Sequence, residues 1–313
     1  MHNIIVKNNL LLISLFILTA MACDMSVSVA PSTGPAPLPT NTMIPATGVS
    51  TQIEAAPPPI LATIAPVSTS TALQGSFEGV EVSVDALSLV LPPGLASGVR
   101  GSQFPRADEQ DLPYWGLTPG HTVLKLEGYR LQGKSHEPEI YVYPAQAYAE
   151  LVPAAFESIR RLDNILYIPG GPSINDQLPA VPFFNAQQVF ASHIQVISFQ
   201  NGGGVRFLTE YAQYAASANN QDLFYHFQGV TRDGAYYIVA ILPITVPVLA
   251  ETSDGGAVLP LGGVPYPYFA DPNADMQLYY RSVTDVLNAT PSQAFTPTID
   301  QLDSLIQSMR VTP

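Results

Sequence analysis

The aromatic loop at residues 113–116 has the residue types of a ligand-binding site. It contains Tyr114 and Trp115, the only tryptophan of the chain, and His121 follows closely. An acidic run at residues 108–111 precedes it. Aromatic rings beside carboxylates can bind sugars or cationic ligands. We therefore predict a ligand-binding pocket or patch at Tyr114, Trp115 and His121. The alternative is that Trp115 plugs the open edge of the core.

Patterns typical of a catalytic centre are present only in part. Residues 168–173 and 201–204 are glycine-rich in the manner of oxyanion-hole loops, which require a nucleophile beside them. No serine has glycine both two residues before it and two residues after it, so the sequence has no nucleophile elbow. We interpret the two segments as a flexible loop and a tight turn, and we predict that the protein is not an enzyme.

Metal-binding spacing is also incomplete. Asp271, Asn273 and Asp275 match the first three ligand positions of a calcium loop. The sixth and twelfth positions, where such a loop has glycine and glutamate, hold Met276 and Ser282. These side chains are better suited to capping the N-terminus of a helix. We predict no metal and no cofactor.

The single cysteine, Cys23, follows a short apolar run at residues 10–18. A membrane-spanning helix needs about 20 apolar residues, so we interpret residues 1–22 as a signal peptide. The end of this segment resembles a degenerate bacterial lipobox, with Ala20 where that family has leucine. This resemblance implies that Cys23 is acylated and becomes the first residue of the mature lipoprotein. The alternative is an ordinary signal peptide followed by a free thiol.

Composition divides the rest of the chain into a tether and a globular domain. Residues 23–74 are rich in Pro, Ser and Thr, which predicts a disordered tether. Residues 75–313 are long enough for a sizeable core, and 47% of the whole chain is apolar. The net charge of −13, from 12 Lys and Arg against 25 Asp and Glu, excludes a nucleic-acid binder that neutralises phosphates.

Apolar periodicity predicts the elements that must position these residues. The sequence at 223–231 and 235–243 alternates around Arg232-Asp233-Gly234, which predicts a β-hairpin inside a sheet. Residues 145–166 and 274–289 have helical spacing, and a Thr298 to Gln301 capping box starts a terminal helix. Because strands are grouped rather than alternating with helices, we predict an α+β fold: an antiparallel sheet with packed helices, sandwich-like.

Three further segments have weaker patterns. Residues 80–91 suggest one strand with a bulge near Asp85, residues 202–204 a break, and residues 205–214 a short strand or helix. Pro153 either kinks the helix at 145–166 or starts a second helix.

The last part of the chain is similar to the PsbP-like family. An aromatic hairpin turns at Asp233-Gly234 into Tyr236 and Tyr237, and a terminal helix leads to a short end near Val311. The resemblance implies the fold only and assigns no functional residue. Members of that family are mostly binding or assembly factors.

These observations predict a membrane-anchored, exported lipoprotein on the outer face of the bacterial cytoplasmic membrane or another envelope membrane. Its domain is expected to be a non-enzymatic module that binds an envelope protein or a small ligand. Two alternatives stay open: a secreted hydrolase without a recognisable signature, and a purely structural surface protein. The binding module requires an aromatic-lined groove. The hydrolase requires a cleft that unites a nucleophile, a histidine and a carboxylate.

Overall fold

The computed structural model describes residues 77–166, 178–267 and 274–312. All of them belong to one compact unit, residues 66–313. The predicted signal peptide, Cys23 and the predicted tether lie outside the described residues. So do the glycine-rich segment 168–173 and two of the candidate calcium ligands, Asp271 and Asn273.

Two antiparallel sheets and four α-helices make up the described part of the chain, so the predicted α+β class is confirmed. The strands are β1 (Val80–Val84), β2 (Leu87–Leu91), β3 (Gly98–Phe104), β4 (His121–Glu127), β5 (Glu139–Pro144), β6 (Gln187–Phe199), β7 (Gly202–Ala212), β8 (Phe224–Thr231), β9 (Tyr236–Pro243) and β10 (Arg310–Val311). The helices are α1 (Ala145–Leu151), α2 (Pro153–Leu166), α3 (Met276–Ala289) and α4 (Ile299–Ser308).

The larger sheet has seven strands in the order β3-β4-β5-β9-β8-β7-β6, and the smaller has the order β1-β2-β10. The predicted hairpin is β8 and β9, which lie inside the larger sheet. Its turn contains Gly234 at φ +70°, a conformation that glycine adopts without strain. The carboxylate of Asp233 accepts a hydrogen bond of 3.0 Å from the Ala235 amide and stabilises this turn.

Helices cover both faces of the larger sheet. One face packs on α1 and α2, and its core includes Tyr148, Leu162 and Phe207. The other face packs on α3, α4 and the small sheet. Leu302 of α4 is completely buried in this second core, as the apolar spacing of the terminal helix predicts.

Capping side chains fix the starts of α3 and α4. Asp275 accepts a hydrogen bond of 2.9 Å from the Leu278 amide, which confirms its interpretation as a cap. Thr298 accepts one of 3.2 Å from the Gln301 amide, as in the predicted capping box. The Gln301 side chain donates instead to the carbonyl of Pro93, so only half of the box is formed.

Three local expectations need correction or refinement. Residues 80–91 form the β1–β2 hairpin rather than one bulged strand, because Asp85 adopts a left-handed conformation at φ 48°. Pro153 starts a second helix, α2, on which Ala155 and Leu162 are buried and Phe156 is 51% exposed. Residues 202–204 belong to β7 rather than to a break.

Glycine at position 204 is required by close packing inside the sheet. A Cβ atom there would lie 2.3 Å from the carbonyl oxygen of Gln228 and 2.5 Å from the ring of Phe227. These distances are too short for any side chain, so the backbone of β7 approaches its neighbour at a point where only glycine fits. Close packing therefore explains the glycine at position 204.

Candidate functional site

Tyr114 and Trp115 lie on a short 3-10 helix, Tyr114–Gly116, none of whose residues is buried. Their side chains are 52% and 38% exposed. The two rings pack edge to face with centroids 5.1 Å apart, and Tyr114 also contacts Phe183 at 5.6 Å. Trp115 therefore does not plug the core, and both rings are accessible to a ligand.

His121 has a different environment. It begins β4, and its ring lies 5.5 Å from Phe104 and 4.7 Å from Tyr143, in an aromatic stack that crosses three neighbouring strands. The Nδ1 atom is 2.8 Å from the carbonyl oxygen of Pro119. Partial burial lowers the pKa of His121, so the ring is neutral at pH 7.

Tyr114 lines an open cleft of about 570 Å³. Four aromatic side chains contribute to it: Tyr114, Phe184, Tyr214 and Tyr280. Four side-chain amides line it as well: Asn185, Gln187, Gln188 and Gln213. None of the described residues that line it is charged. We call this the tyrosine-amide cleft; neither Trp115 nor His121 lines it, although Trp115 supports Tyr114.

The open end of the β6–β7 hairpin forms the floor of the tyrosine-amide cleft. Gln187 pairs with Ala212 in the ladder, so the first residues of β6 and the last of β7 lie side by side. Beyond the ladder, Gln213 donates a hydrogen bond of 2.8 Å to the carbonyl of Asn185 and holds the two connecting segments together. The cleft is therefore anchored to a regular strand pair.

Helix α3 supplies the remaining wall. The Tyr280 hydroxyl donates to the carbonyl of Ala216 at 2.8 Å, which fixes the ring against the segment after β7. Burial raises the pKa of Tyr280 to about 12, so the hydroxyl keeps its proton at neutral pH. Tyr214 is 70% exposed, the most accessible aromatic side chain of the cleft.

This lining is suited to a neutral polar ligand that has apolar faces. Tyrosine rings stack on apolar faces, and side-chain amides both donate and accept hydrogen bonds. The sequence alone pointed to Tyr114 but missed Tyr214 and Gln187. No spacing rule connects these three residues, because separate elements bring them together.

The hydrolase alternative requires a histidine that can act on a nucleophile. In residues 77–166, 178–267 and 274–312, the hydrogen bonds of histidine rings go to the carbonyls of Pro119 and Leu287 and to the Gln228 amide. Over the same residues, no group of three or more His, Cys, Asp or Glu side chains could hold a metal ion.

A buried polar cluster lies in the core under α1 and α2. His226 is fully buried, and its Nε2 atom is 2.7 Å from the side-chain nitrogen of Gln228. Gln228 also accepts a hydrogen bond of 2.6 Å from the Tyr237 hydroxyl and donates to the carbonyl of Val181. Because the Gln228 amide donates to Nε2, the proton of the neutral ring is on Nδ1, which has no hydrogen-bond partner among the described residues.

Burial of His226 makes stability depend on pH. Desolvation lowers its pKa from 6.5 to about 3. Below pH 6.5 the His226 ring takes up a proton in the unfolded chain, whereas in the folded chain it stays neutral down to about pH 3. The free energy of unfolding therefore decreases as pH falls through this window, by at most about 1.4 kcal/mol per pH unit from this group.

Replacing the His226 ring should weaken the dependence of stability on pH. We expect His226→Leu to show a smaller loss of denaturation midpoint between pH 7 and pH 4 than the unmodified chain, as measured by urea titration. Phe156→Leu, an exposed change without a titratable group, should keep the original slope. If the denaturation midpoint changed equally with pH in His226→Leu and in the unmodified chain, the lowered pKa of His226 would be contradicted.

Comparison with known proteins gives no further assignment. No protein-family model, no curated protein and no solved structure matches this chain. The resemblances to a lipobox and to the PsbP-like family stay predictions from the sequence. Among the described residues, no helix is long and apolar enough to cross a membrane.

Proposed function

We propose that the protein is an exported, lipid-anchored binding module of a bacterial envelope, and that its tyrosine-amide cleft binds a neutral saccharide. The observation that carries the ligand class is the lining of the cleft, whose described residues supply four aromatic rings, four amides and no charged group. Saccharide rings have apolar faces that stack on aromatic side chains and hydroxyls that pair with amides.

The charge pattern favours a neutral ligand over a cationic one. The acidic residues near the aromatic loop, such as Asp108, do not line the cleft; Asp108 instead pairs with Arg106 at 2.7 Å. Among the described lining residues, a cationic ligand would find no carboxylate to pair with. Of the two ligand classes predicted from the sequence, sugars and cations, we therefore propose a sugar.

The anchor part of the proposal rests on Cys23 and the preceding apolar run. Two acyl chains hold a protein stably on a bilayer, since each buried methylene contributes about 0.8 kcal/mol. An envelope protein is the second partner class that the proposal includes, and it includes neither nucleic acid nor a catalytic step.

Ligand binding is tested with an array of neutral glycans probed by the full chain. We expect Tyr214→Ala to weaken the affinity for any bound glycan by about tenfold, because an aromatic contact contributes about 0.5–1.5 kcal/mol in addition to its buried area and about 1.4 kcal/mol is a factor of ten. Phe156→Ala removes a ring of comparable exposure on α2 and should leave the affinity unchanged. Absence of glycan binding, or equal loss in both variants, would reject the saccharide site.

Lipidation is tested by metabolic labelling with a radioactive fatty acid in a bacterial host. The unmodified chain should incorporate label and fractionate with membranes, because acylation occurs on the Cys23 thiol. Cys23→Ser should incorporate none. Label that persists in Cys23→Ser, or an unlabelled original chain, would refute the anchor while leaving the cleft untouched.

A further inference from the structure

A second cavity, of about 550 Å³, lies beneath the long loop that follows β9. Its volume is in the range typical of small-molecule sites. Most of its lining is aliphatic, proline or tyrosine, and we call it the apolar pocket. Its lining includes Ala218, Leu249, Ala257, Leu259, Tyr266 and Tyr279. This cavity has no lining residue in common with the tyrosine-amide cleft.

Buried polar contacts hold the walls of the apolar pocket in place. Asn220 donates to the carbonyls of Val246 and Leu249 at 3.1 Å each and accepts from the Val246 amide at 2.8 Å. The Ala218 amide donates to the Tyr279 hydroxyl at 3.0 Å. Because these bonds do not involve a ligand, the pocket is preformed.

The apolar surface continues out of the pocket onto the loop. Leu259 lines the pocket and is also 45% exposed. Beside it, Val258 is 84% and Leu261 is 101% exposed. Residues 255–267 include no charged residue. Exposed apolar side chains next to an apolar cavity are typical of an interaction site, because their burial removes apolar surface from water.

The polar side of the rim is acidic. Thr252, Ser253 and Asp254 line the same pocket, and the Thr252 hydroxyl donates to the Asp254 carboxylate at 3.0 Å. A ligand with an anionic headgroup would meet this carboxylate and a chain of net charge −13. A neutral headgroup that has hydroxyls meets no such repulsion.

We propose that the apolar pocket binds a neutral single-chain lipid. The acyl chain occupies the cavity and runs over Leu259 onto Val258 and Leu261, and the hydroxylated headgroup lies at Thr252 and Asp254. An acyl chain can fill the cavity and also cover the exposed side chains of Val258 and Leu261, which a compact ligand would leave in water. This site is independent of the saccharide site proposed above.

Isothermal titration calorimetry on the full chain tests the proposal, with monolauroylglycerol below its aggregation concentration as the probe. We expect saturable binding with one site per chain. Laurate, which has the same acyl chain and an anionic head, should bind about tenfold more weakly. Asp254→Asn should reduce that difference. Equal binding of the two probes by the original chain would overturn the headgroup assignment.

Two variants test whether monolauroylglycerol binds in the apolar pocket. Leu259→Gln adds polarity to the lining, and Ala257→Phe occupies part of the volume; each should weaken monolauroylglycerol binding about tenfold. Val80→Gln, a matched change of an exposed aliphatic residue on β1, should have no effect. Thermal unfolding of each variant shows whether it is folded, and Leu259→Gln is the decisive one because Leu259 is already partly exposed.

Three results would reject the pocket. These are no saturable binding of monolauroylglycerol, equal weakening by Leu259→Gln and Val80→Gln, and binding only to phosphatidylcholine vesicles. The last result would identify the exposed loop as a bilayer contact without a lipid site. Glycan binding, in contrast, should be unchanged in Leu259→Gln, so failure of this proposal is distinguishable from failure of the saccharide site.

Discussion

Burial of the β8–β9 hairpin on both faces is the constraint on which the rest of the fold depends. All eight residues of β8 are buried, and in β9 only Tyr236 is not. A strand pair that is apolar on both faces must be covered on both, so one layer of helices is insufficient. Helices α1 and α2 supply one cover, and α3, α4 and the small sheet supply the other.

Polar side chains on the buried strands β7 and β8 must be paired within the protein. Arg206 of β7 is 6% exposed and lies 3.2 Å from the carboxylate of Asp303 on α4. The Tyr225 hydroxyl donates to the same carboxylate at 2.8 Å. Desolvation raises the pKa of Asp303 and the charge of Arg206 opposes this shift. Removal of one partner would leave a buried charge unpaired, so this contact fixes the position of α4 on the sheet.

Fixed helices in turn position both cavities. Helix α3 places Tyr280 in the wall of the tyrosine-amide cleft and the preceding residue, Tyr279, in the apolar pocket. Their hydroxyls bond the same short segment after β7, at Ala216 and Ala218. One helix start thus shapes two sites that differ in chemistry, one lined by amides and the other by aliphatic side chains.

Local patterns in the sequence were sufficient for the elements with strong periodicity. The hairpin at Asp233-Gly234 and the capped terminal helix follow from alternation and capping residues, which act over a few positions. The sequence left open whether Pro153 kinks one helix or starts a second, because proline is compatible with both. The site residues were harder to predict from the sequence. Tyr114 has a recognisable aromatic context, but the amides and Tyr214 come close to it only through tertiary packing. His121 does not line the cleft, because its ring stacks on neighbouring strands of the sheet.

Hydrogen exchange of the full chain, followed by mass spectrometry at increasing denaturant, tests the central role of the hairpin most directly. If β8 and β9 are the core on which both layers depend, their amides should exchange only through global unfolding, and the edge strand β3 should exchange earlier. Exchange of the β8 and β9 amides as fast as that of β3 would contradict this account.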